Sequence, residues 1–524
     1  MAPLAPPAVF RPMDSFRQCP FGPRSFRVGS VLLAALLCAS TGCGRYAVDW
    51  PVDRCETVSD ERGRTVRRYT FSPSPAATYI QRLEGGRIVE LAFDADGDGV
   101  PEQTVDLAHP RPEWPHFLII LDGVPFSVVQ AMYAEGHFRL FPPPTPVVTV
   151  FPAMTDVALA SLFRAGPCVA SEAQFYDRDT GRMSRGDDVY LKGANAPWIP
   201  RVTWVAPQSI AIETYLQPWS AFGRELRAMQ RLFASTAEPL VSAYSVGSAG
   251  IGTREGEAGI RAYLDQVDRL CERITYDRRG QVRFSIMADH GHTLRPATRI
   301  TFKKALETAG FRLTKSIRDS RDVVIISYGL VTCAQIHTDR PAEVAAVLVK
   351  HPGVDLVMYR ENGRVCVWRG DAFASFERQG DRFRYDCTGG DPLSLLSIVS
   401  EQEAAEEKRV QAEISDAALL EAAAAHPYPD SLHRIWGYFH GVVTKPADVV
   451  VSLKPEACHG SAFFHFFAQP VASTHGGLDR EGSLTFLLSN ATATPLPPVL
   501  RIEDVLSAVE AAQEPTAAGS HGGA

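Results

Sequence analysis

Phe117-Leu118-Ile119-Ile120-Leu121-Asp122-Gly123 is the stretch that decides how this chain folds. Five apolar residues in a row, followed at once by Asp-Gly, suit a strand covered on both faces, as in a parallel sheet. Asp122 then stands at the carboxyl end of that strand, the edge at which open α/β sheets place their sites. Phe284-Ser285-Ile286-Met287-Ala288 repeats the pattern and runs into Asp289-His290-Gly291. Between the two, Ile260, Tyr263, Leu264, Val267, Leu270 and Ile274 fall on one face of a helix. Such alternation predicts βα units, hence an α/β core with a mostly parallel sheet.

Working outward, residues 44–113 are polar, with short alternating segments such as Thr65-Val66-Arg67-Arg68-Tyr69, and predict a small β-rich appendage. Residues 114–313 form the first part of the core. Beyond Leu313 the texture changes: Val323 to Ser327 reads as a strand, Pro341 to Lys350 as a helix opened by proline. Leu356 to Tyr359 and Val365 to Trp368 make a hairpin around Glu361-Asn362-Gly363-Arg364, and Phe383 to Tyr385 adds a strand. Residues 314–400 are therefore expected as an inserted α+β subdomain. The Ala/Glu-rich stretch Glu401 to Ala425 predicts a helix leading back to the core. The core's second part, 401–512, closes with a strand at Thr485 to Leu488 and a helix at Ile502 to Ala511. The Gly/Ala-rich end, 513–524, is expected to be disordered. No internal repeat is visible.

A length of 524 residues allows more than one domain and a substantial core. The net charge of -7 gives no general attraction to nucleic acid. At the N-terminus, residues 1–43, Arg17, Arg24 and Arg27 precede the apolar run Val31 to Leu37, too short to span a membrane. Ala39-Ser40-Thr41-Gly42-Cys43 follows and resembles a bacterial lipoprotein signal. Lipidation of Cys43 would anchor the protein to a membrane in the bacterial cell envelope. Ser40 stands where such signals usually carry Leu, so a plain secretory signal is the alternative. Translation starts at Met1 or Met13. Outside that region Cys55, Cys168, Cys271, Cys333, Cys366, Cys387 and Cys458 form no CxxC pair, and their odd number leaves at least one thiol without an internal partner.

Four motifs carry chemistry. Asp94-Ala95-Asp96-Gly97-Asp98-Gly99 sets carboxylates at alternate positions, a spacing that can turn Asp94, Asp96 and Asp98 onto a calcium ion. Val105 stands where an EF-hand has Glu, and a solvated turn is the competing reading. Thr155, in Phe151-Pro152-Ala153-Met154-Thr155-Asp156, precedes the helix-like Val157 to Arg164. A hydroxyl at a helix N-terminus sits in positive potential, and beside a metal it can become a nucleophile; an ordinary N-cap is the alternative. Asp289-His290 offers adjacent carboxylate and imidazole ligands at a strand end, a mixture that zinc accepts. His475-Gly476-Gly477 adds a late histidine.

In this order the motifs resemble those of the alkaline phosphatase superfamily, most closely its nucleotide pyrophosphatase/phosphodiesterase branch. Leu121-Asp122-Gly123 resembles the first metal aspartate, Phe151 to Thr155 the nucleophile motif, Ala288-Asp289-His290-Gly291 the central metal pair and Thr474-His475-Gly476-Gly477 the late histidine motif. The resemblance implies an α/β/α sandwich, with one zinc held by Asp122, Thr155, Asp289 and His290. It also implies attack by Thr155 on a small phosphate or sulfate ester. His475 would belong to a second zinc. Gly247 and Ile251 stand where that ion's remaining ligands belong, and Ala158 replaces the asparagine usual after the nucleophile, which leaves the second site and part of the phosphate clamp incomplete. His292, His337, His459 and His465 are available by type to replace some positive charge. Three functions follow: a phosphodiesterase-like hydrolase, an inactive relative that binds the same ligands, and an envelope component braced by calcium.

Overall fold

The computed structural model describes residue 48 and residues 52–71, 78–184, 196–398 and 409–513. The expected signal with Cys43 and the tail beyond Gln513 lie outside the described residues. Alternation builds the first sheet, an antiparallel meander in chain order: β1 (Val52–Ser59), β2 (Thr65–Phe71), β3 (Thr78–Glu84), β4 (Arg87–Asp94) and β5 (Gln103–Asp106). Its apolar face carries Tyr79, Leu83, Ile88, Leu91 and Phe93 into the same core as the long helix described next. Tyr79 meets Tyr276 of that helix edge to face, with ring centroids 5.3 Å apart.

The βα pattern follows. Along the chain come β6 (His116–Leu121), α1 (Phe126–Glu135), β7 (Thr145–Val148), α2 (Thr155–Leu162), β8 (Trp204–Val205), α3 (Pro218–Ser235), β9 (Leu240–Ser245), α4 (Gly247–Asp277) and β10 (Arg283–Ala288). Every residue of β6 and β10 is buried, which is why apolar residues dominate both faces of each instead of alternating strictly with polar ones.

A second sheet is then inserted. It comprises β11 (Arg312–Leu313), β12 (Asp322–Ile325), β13 (Cys333–Thr338), β14 (Val354–Glu361), β15 (Arg364–Arg369), β16 (Ala372–Gln379), β17 (Arg382–Thr388), β18 (Arg409–Ser415) and β19 (Val449–Leu453), with α5 (Pro341–Leu348) after β13 and α6 (Ser431–Gly437) before β19. Their order in space is β11-β12-β13-β19-β14-β15-β16-β17-β18. The expected hairpin turns at Asn362-Gly363, whose φ angles of 51° and 79° suit a tight two-residue turn. The sheet continues past residue 400 to recruit β18 and β19.

One expectation is overturned. Of the stretch 401–425, read from sequence as a helix, residues 401–408 lie outside the described residues; among the described ones Arg409–Ser415 is a strand paired antiparallel with β17, and Asp416–Ala422 is helical. Ala412 and Ile414 fill the core beneath. The Ala/Glu richness lies on either side of this strand, whose Val410, Ala412 and Ile414 alternate with polar residues and pair with β17.

The chain returns to the first core with β20 (Leu484–Ser489), β21 (Leu500–Arg501) and α7 (Val505–Ala511). That core sheet is ordered β8-β9-β6-β10-β20-β7-β21. Only the two pairings of β20 are antiparallel, so the sheet is mostly parallel as expected. Phe117, Ile119 and Leu121 face a core shared with α1, α3 and α4; Leu118 and Ile120 face the opposite one, shared with α2, α6, α7 and the second sheet. Helices thus cover both faces, the α/β/α sandwich.

Register places the site. Leu121 lies level with Ala288 on one side and Ser245 on the other. The next residue of each strand, Asp122, Asp289 and Val246, therefore emerges at one edge.

Candidate functional site

Asp289 is fully buried. Its Oδ1 accepts the backbone N–H groups of Gly123 at 2.9 Å and His290 at 2.8 Å, while Oδ2 has no partner. Asp122 is arranged alike: Oδ2 accepts the Tyr244 hydroxyl at 2.6 Å and Oδ1 has none. His290 Nδ1 lies 2.9 Å from the Gly291 carbonyl oxygen. A carbonyl only accepts, so the ring proton sits on Nδ1 and Nε2 keeps its lone pair. That lone pair lies 3.6 Å from Asp122 Oδ1 and 3.6 Å from Asp289 Oδ2.

Three lone-pair atoms, two of them buried orphans, thus converge within 4.8 Å of one another. A buried unpaired acceptor costs about 1–3 kcal/mol, and more if charged, unless something fills it. This donor set of two carboxylates and one imidazole fits a divalent cation such as zinc. Electrostatics agree. Burial, followed by the charge of Asp289, holds the Asp122 carboxyl well above the usual carboxylate range. Burial also lifts Asp289 to about 7 and pushes His290 down to about 4, so the imidazole is neutral. A cation supplies the charge for which both carboxylates release their protons.

Thr155 opens α2 beside this cluster, its hydroxyl 3.4 Å from His290 Nε2. The N-cap is Met154, whose side chain makes no cap bond, so the ordinary N-cap reading of Thr155 falls. The first N–H groups of α2 consequently lack a side-chain acceptor, an arrangement that favours anions. Asp156, next along, accepts the Trp198 indole N–H at 2.9 Å. Behind the loop, buried Arg434 donates to the Val150 carbonyl at 3.0 Å and to Ser483 Oγ at 2.7 Å.

His475 joins from the far end of the chain. Its Nδ1 lies 2.8 Å from the Ala153 carbonyl and its ring stacks on His290, but it is outside the ligand group formed by Asp122, Asp289 and His290. Gly247 and Ile251 contribute no ligand. The room a side chain at Gly247 would need is taken by the Glu225 carboxylate, which accepts Ser245 Oγ at 2.6 Å and the N–H groups of Gly247 and Val246 at 2.9 and 3.1 Å. Ile251 is packed in the apolar core.

Sequence reasoning missed Glu225 and Tyr244. A charged residue on the apolar face of α3, among Phe222, Leu226 and Met229, was the available signal for Glu225; none marks Tyr244. His292 proves to be in the cluster, its ring 5.4 Å from that of His475. His459 instead bonds the Ile326 carbonyl, and His337 lies 3.6 Å from Asp448. His465 is paired with Gln469.

At the N-terminal loop, Asp94 and Asp96 come together with Glu102, which the sequence reading overlooked. Asp94 accepts the N–H groups of Gly97 and Gly99, Asp96 that of Asp98, and Asp98 that of Val100. These are the bonds of a carboxylate-braced turn. A cavity of about 390 Å³ lies not at Thr155 but by the other end of α2, lined by Arg164, His433, Arg434 and Arg501 among others. All seven described cysteines outside the signal are free thiols, with only Cys55 exposed.

No family model matches the chain, and no curated protein matches it in sequence. Among solved structures it is similar to human ectonucleotide pyrophosphatase/phosphodiesterase 5, at a TM-score of 0.43 and 11% identity over 78% of this chain and 97% of that one. It is similar also to the murine protein, at a TM-score of 0.40 and 11% identity over 78% and 97%. An inactive form of the murine protein in complex with AMP gives 0.41 and 11% over 78% and 98%.

Proposed function

We propose that this chain is a metal-dependent hydrolase of phosphate or sulfate esters, phosphodiesterase-like, with Thr155 as its nucleophile. The observation that carries this reading is the convergence of orphaned Asp122 Oδ1, orphaned Asp289 Oδ2 and the His290 lone pair beside the Thr155 hydroxyl. Asp122, Asp289 and His290 would hold the ion, zinc by its liking for mixed oxygen and nitrogen ligands, with Thr155 as a fourth donor. When bound, zinc supplies the positive charge that makes the hydroxyl acidic and offsets charge on the substrate.

Thr155 Oγ1 then forms a bond to phosphorus (or sulfur) as the ester oxygen departs with the threonine's proton. Water next breaks the threonyl ester and restores the hydroxyl. The open N–H groups of α2 orient the anion during both steps. His475 orients substrate or a weakly held second ion. Purified protein carrying Thr155→Ala should keep its zinc and lose at least about 100-fold in turnover of aryl phosphate diesters. Unchanged turnover excludes the mechanism.

A second reading is favoured by Gly247 and Ile251, which bring no ligand for a second ion: a pseudoenzyme that holds the same esters without turnover. It predicts ligand binding with no turnover dependent on both metal and Thr155. Export and anchoring through Cys43 complete the proposal; a Cys43→Ser variant that still fractionates with membranes would exclude the anchor. Calcium at Asp94 and Asp96, with Glu102 in the place expected for Asp98, is proposed as a brace of the appendage, to be excluded by a melting temperature that calcium does not change.

A further inference from the structure

One imidazole of the cluster has no part in that account. His292 is fully buried, and its Nε2 has no hydrogen-bond partner. It packs against Gly123, the residue after Asp122: a Cβ there would stand 2.7 Å from His292 Nε2 and 3.1 Å from His290 Cε1. Its other nitrogen, Nδ1, lies 3.0 Å from Ser473 Oγ, which also accepts the Leu294 N–H at 2.9 Å.

That pair of contacts favours one tautomer. Among the described residues, the acceptor that the Ser473 hydroxyl proton meets is His292 Nδ1. Donating there leaves the ring's own proton on Nε2. The reverse assignment would leave two groups unmet, the buried hydroxyl proton and the Nε2 lone pair, where this one leaves only the Nε2–H. His290 and His475 are opposite cases, since carbonyl oxygens of Gly291 and Ala153 hold their protons on Nδ1. The cluster therefore has two imidazoles with a free Nε2 lone pair and one with an Nε2–H.

Beside those two lone pairs, the buried atoms of the cluster without a hydrogen-bond partner are two acceptors, Asp122 Oδ1 and Asp289 Oδ2, and one donor, His292 Nε2–H. A cation alone satisfies the acceptors and leaves the donor stranded. A cation accompanied by an anion whose oxygen reaches Nε2 would satisfy all three.

We propose that His292 is an anion-binding residue of this site, its Nε2–H donating to a non-bridging oxygen of a phosphoryl or sulfuryl group. The inference rests on the reading of the site as an ester-binding metal centre. It gives the chain a neutral donor at a point where Gly247 and Ile251 bring no second cation.

The test compares wild type, His292→Leu, His292→Gln and Ser473→Ala, each full-length and saturated with zinc. Zinc per chain is measured by elemental analysis, inorganic phosphate affinity by calorimetry, and imidazole tautomers by 15N NMR of histidine-labelled protein. The expected result is an Nε2–H signal for His292, unchanged zinc content in all variants, and phosphate binding weakened about 10-fold or more in His292→Leu. His292→Gln, whose amide can donate, should stay within about three-fold of wild type, and covers the case in which His292→Leu fails to fold. Ser473→Ala should mix the two tautomers of His292. Loss of zinc in His292→Leu would make the residue a metal ligand and overturn the proposal, as would an unchanged phosphate affinity or an Nδ1–H signal. Phosphate bound only at millimolar levels and equally by every variant would mark an adventitious ion only and overturn it too. Wild type that binds phosphate in a His292-dependent way but holds no zinc would leave this inference standing and remove the metal reading; protein that binds neither removes both.

Discussion

His475 lies face to face on His290, with ring centroids 4.0 Å apart and planes inclined by only 16°. Each ring is pinned at Nδ1 by a carbonyl oxygen, of Ala153 and Gly291 respectively, so the stack holds both Nε2 lone pairs in place. Since His475 is outside the ligand group, its effect on a metal is through His290. His475→Ala is accordingly expected to weaken zinc binding about 10- to 100-fold while one ion still binds at saturation. Competition with a fluorescent chelator measures this, and an affinity within two-fold of wild type would refute it.

Tyr244→Phe removes the donor to Asp122 Oδ2 and leaves that oxygen buried and bare. The metal-free variant should lose about 1–3 kcal/mol in urea unfolding. The same loss makes the Asp122 proton harder to remove, so zinc binding should need a higher pH than in wild type. A zinc-binding pH profile identical to wild type would show that the tyrosine does not act on Asp122.

The metal-free protein should grow less stable as pH rises from about 4 to about 7. The Asp289 carboxyl is raised by burial from 3.8 to about 7, so across that window the folded state binds the proton that the unfolded chain has released. Asp122, raised likewise by burial, adds in the same direction. Thermal unfolding against pH, with and without zinc, should show the fall only without the ion. Asp289→Asn should flatten it and raise the melting temperature of the metal-free protein at neutral pH. A melting temperature that climbs from pH 4 to 7 without zinc would contradict the charge balance of the cluster.

A second linkage lies at the end of the sandwich. Burial alone would lower the His433 imidazole, but hydrogen bonds to Asp416 and Glu503 outweigh it and lift the group to about 9. Its stabilising charge is fully present below about 6.5 and is lost as pH rises through about 9, a contribution of roughly 3 kcal/mol at most. His433→Gln should remove that alkaline loss without touching zinc content. Stability equal in the two proteins at pH 6 would rule the linkage out.

Gly123→Ala should be poorly tolerated. Its φ of 65° strains any side chain, and the new Cβ would stand 2.5 Å from His292 Cδ2. A loss of roughly 2–4 kcal/mol is expected, with phosphate affinity falling as His292 is displaced. A fully stable variant would mean that the strand end can shift to make room.

The motifs of the site were legible because each is local. Strands covered on both faces print as apolar runs, so Phe117 to Leu121 and Phe284 to Ala288 announced themselves, and Asp122 and Asp289 follow them directly. Thr155 was legible through the helix it opens. The strand Arg409–Ser415 was not, because it lies between Ala/Glu-rich residues that favour a helix, while what makes it a strand is pairing with Arg382–Thr388.

Sequence by itself determined the residue types at the edge, two carboxylates, a threonine and histidines, and the βα alternation that brings strands to one edge. Tertiary structure alone decided what those residues are free to do. Whether an aspartate oxygen is satisfied or orphaned depends on Tyr244, and which nitrogen of an imidazole carries its proton depends on Gly291, Ala153 or Ser473. Glu225 takes the room beside Gly247 from a helix that precedes it in the chain. Several of these partners lie more than 100 residues from the group they act on: Ala153 from His475, Ser473 from His292 and Tyr244 from Asp122. Hydrogen bonds and excluded volume act through distance in space, which a linear pattern of residue types does not record.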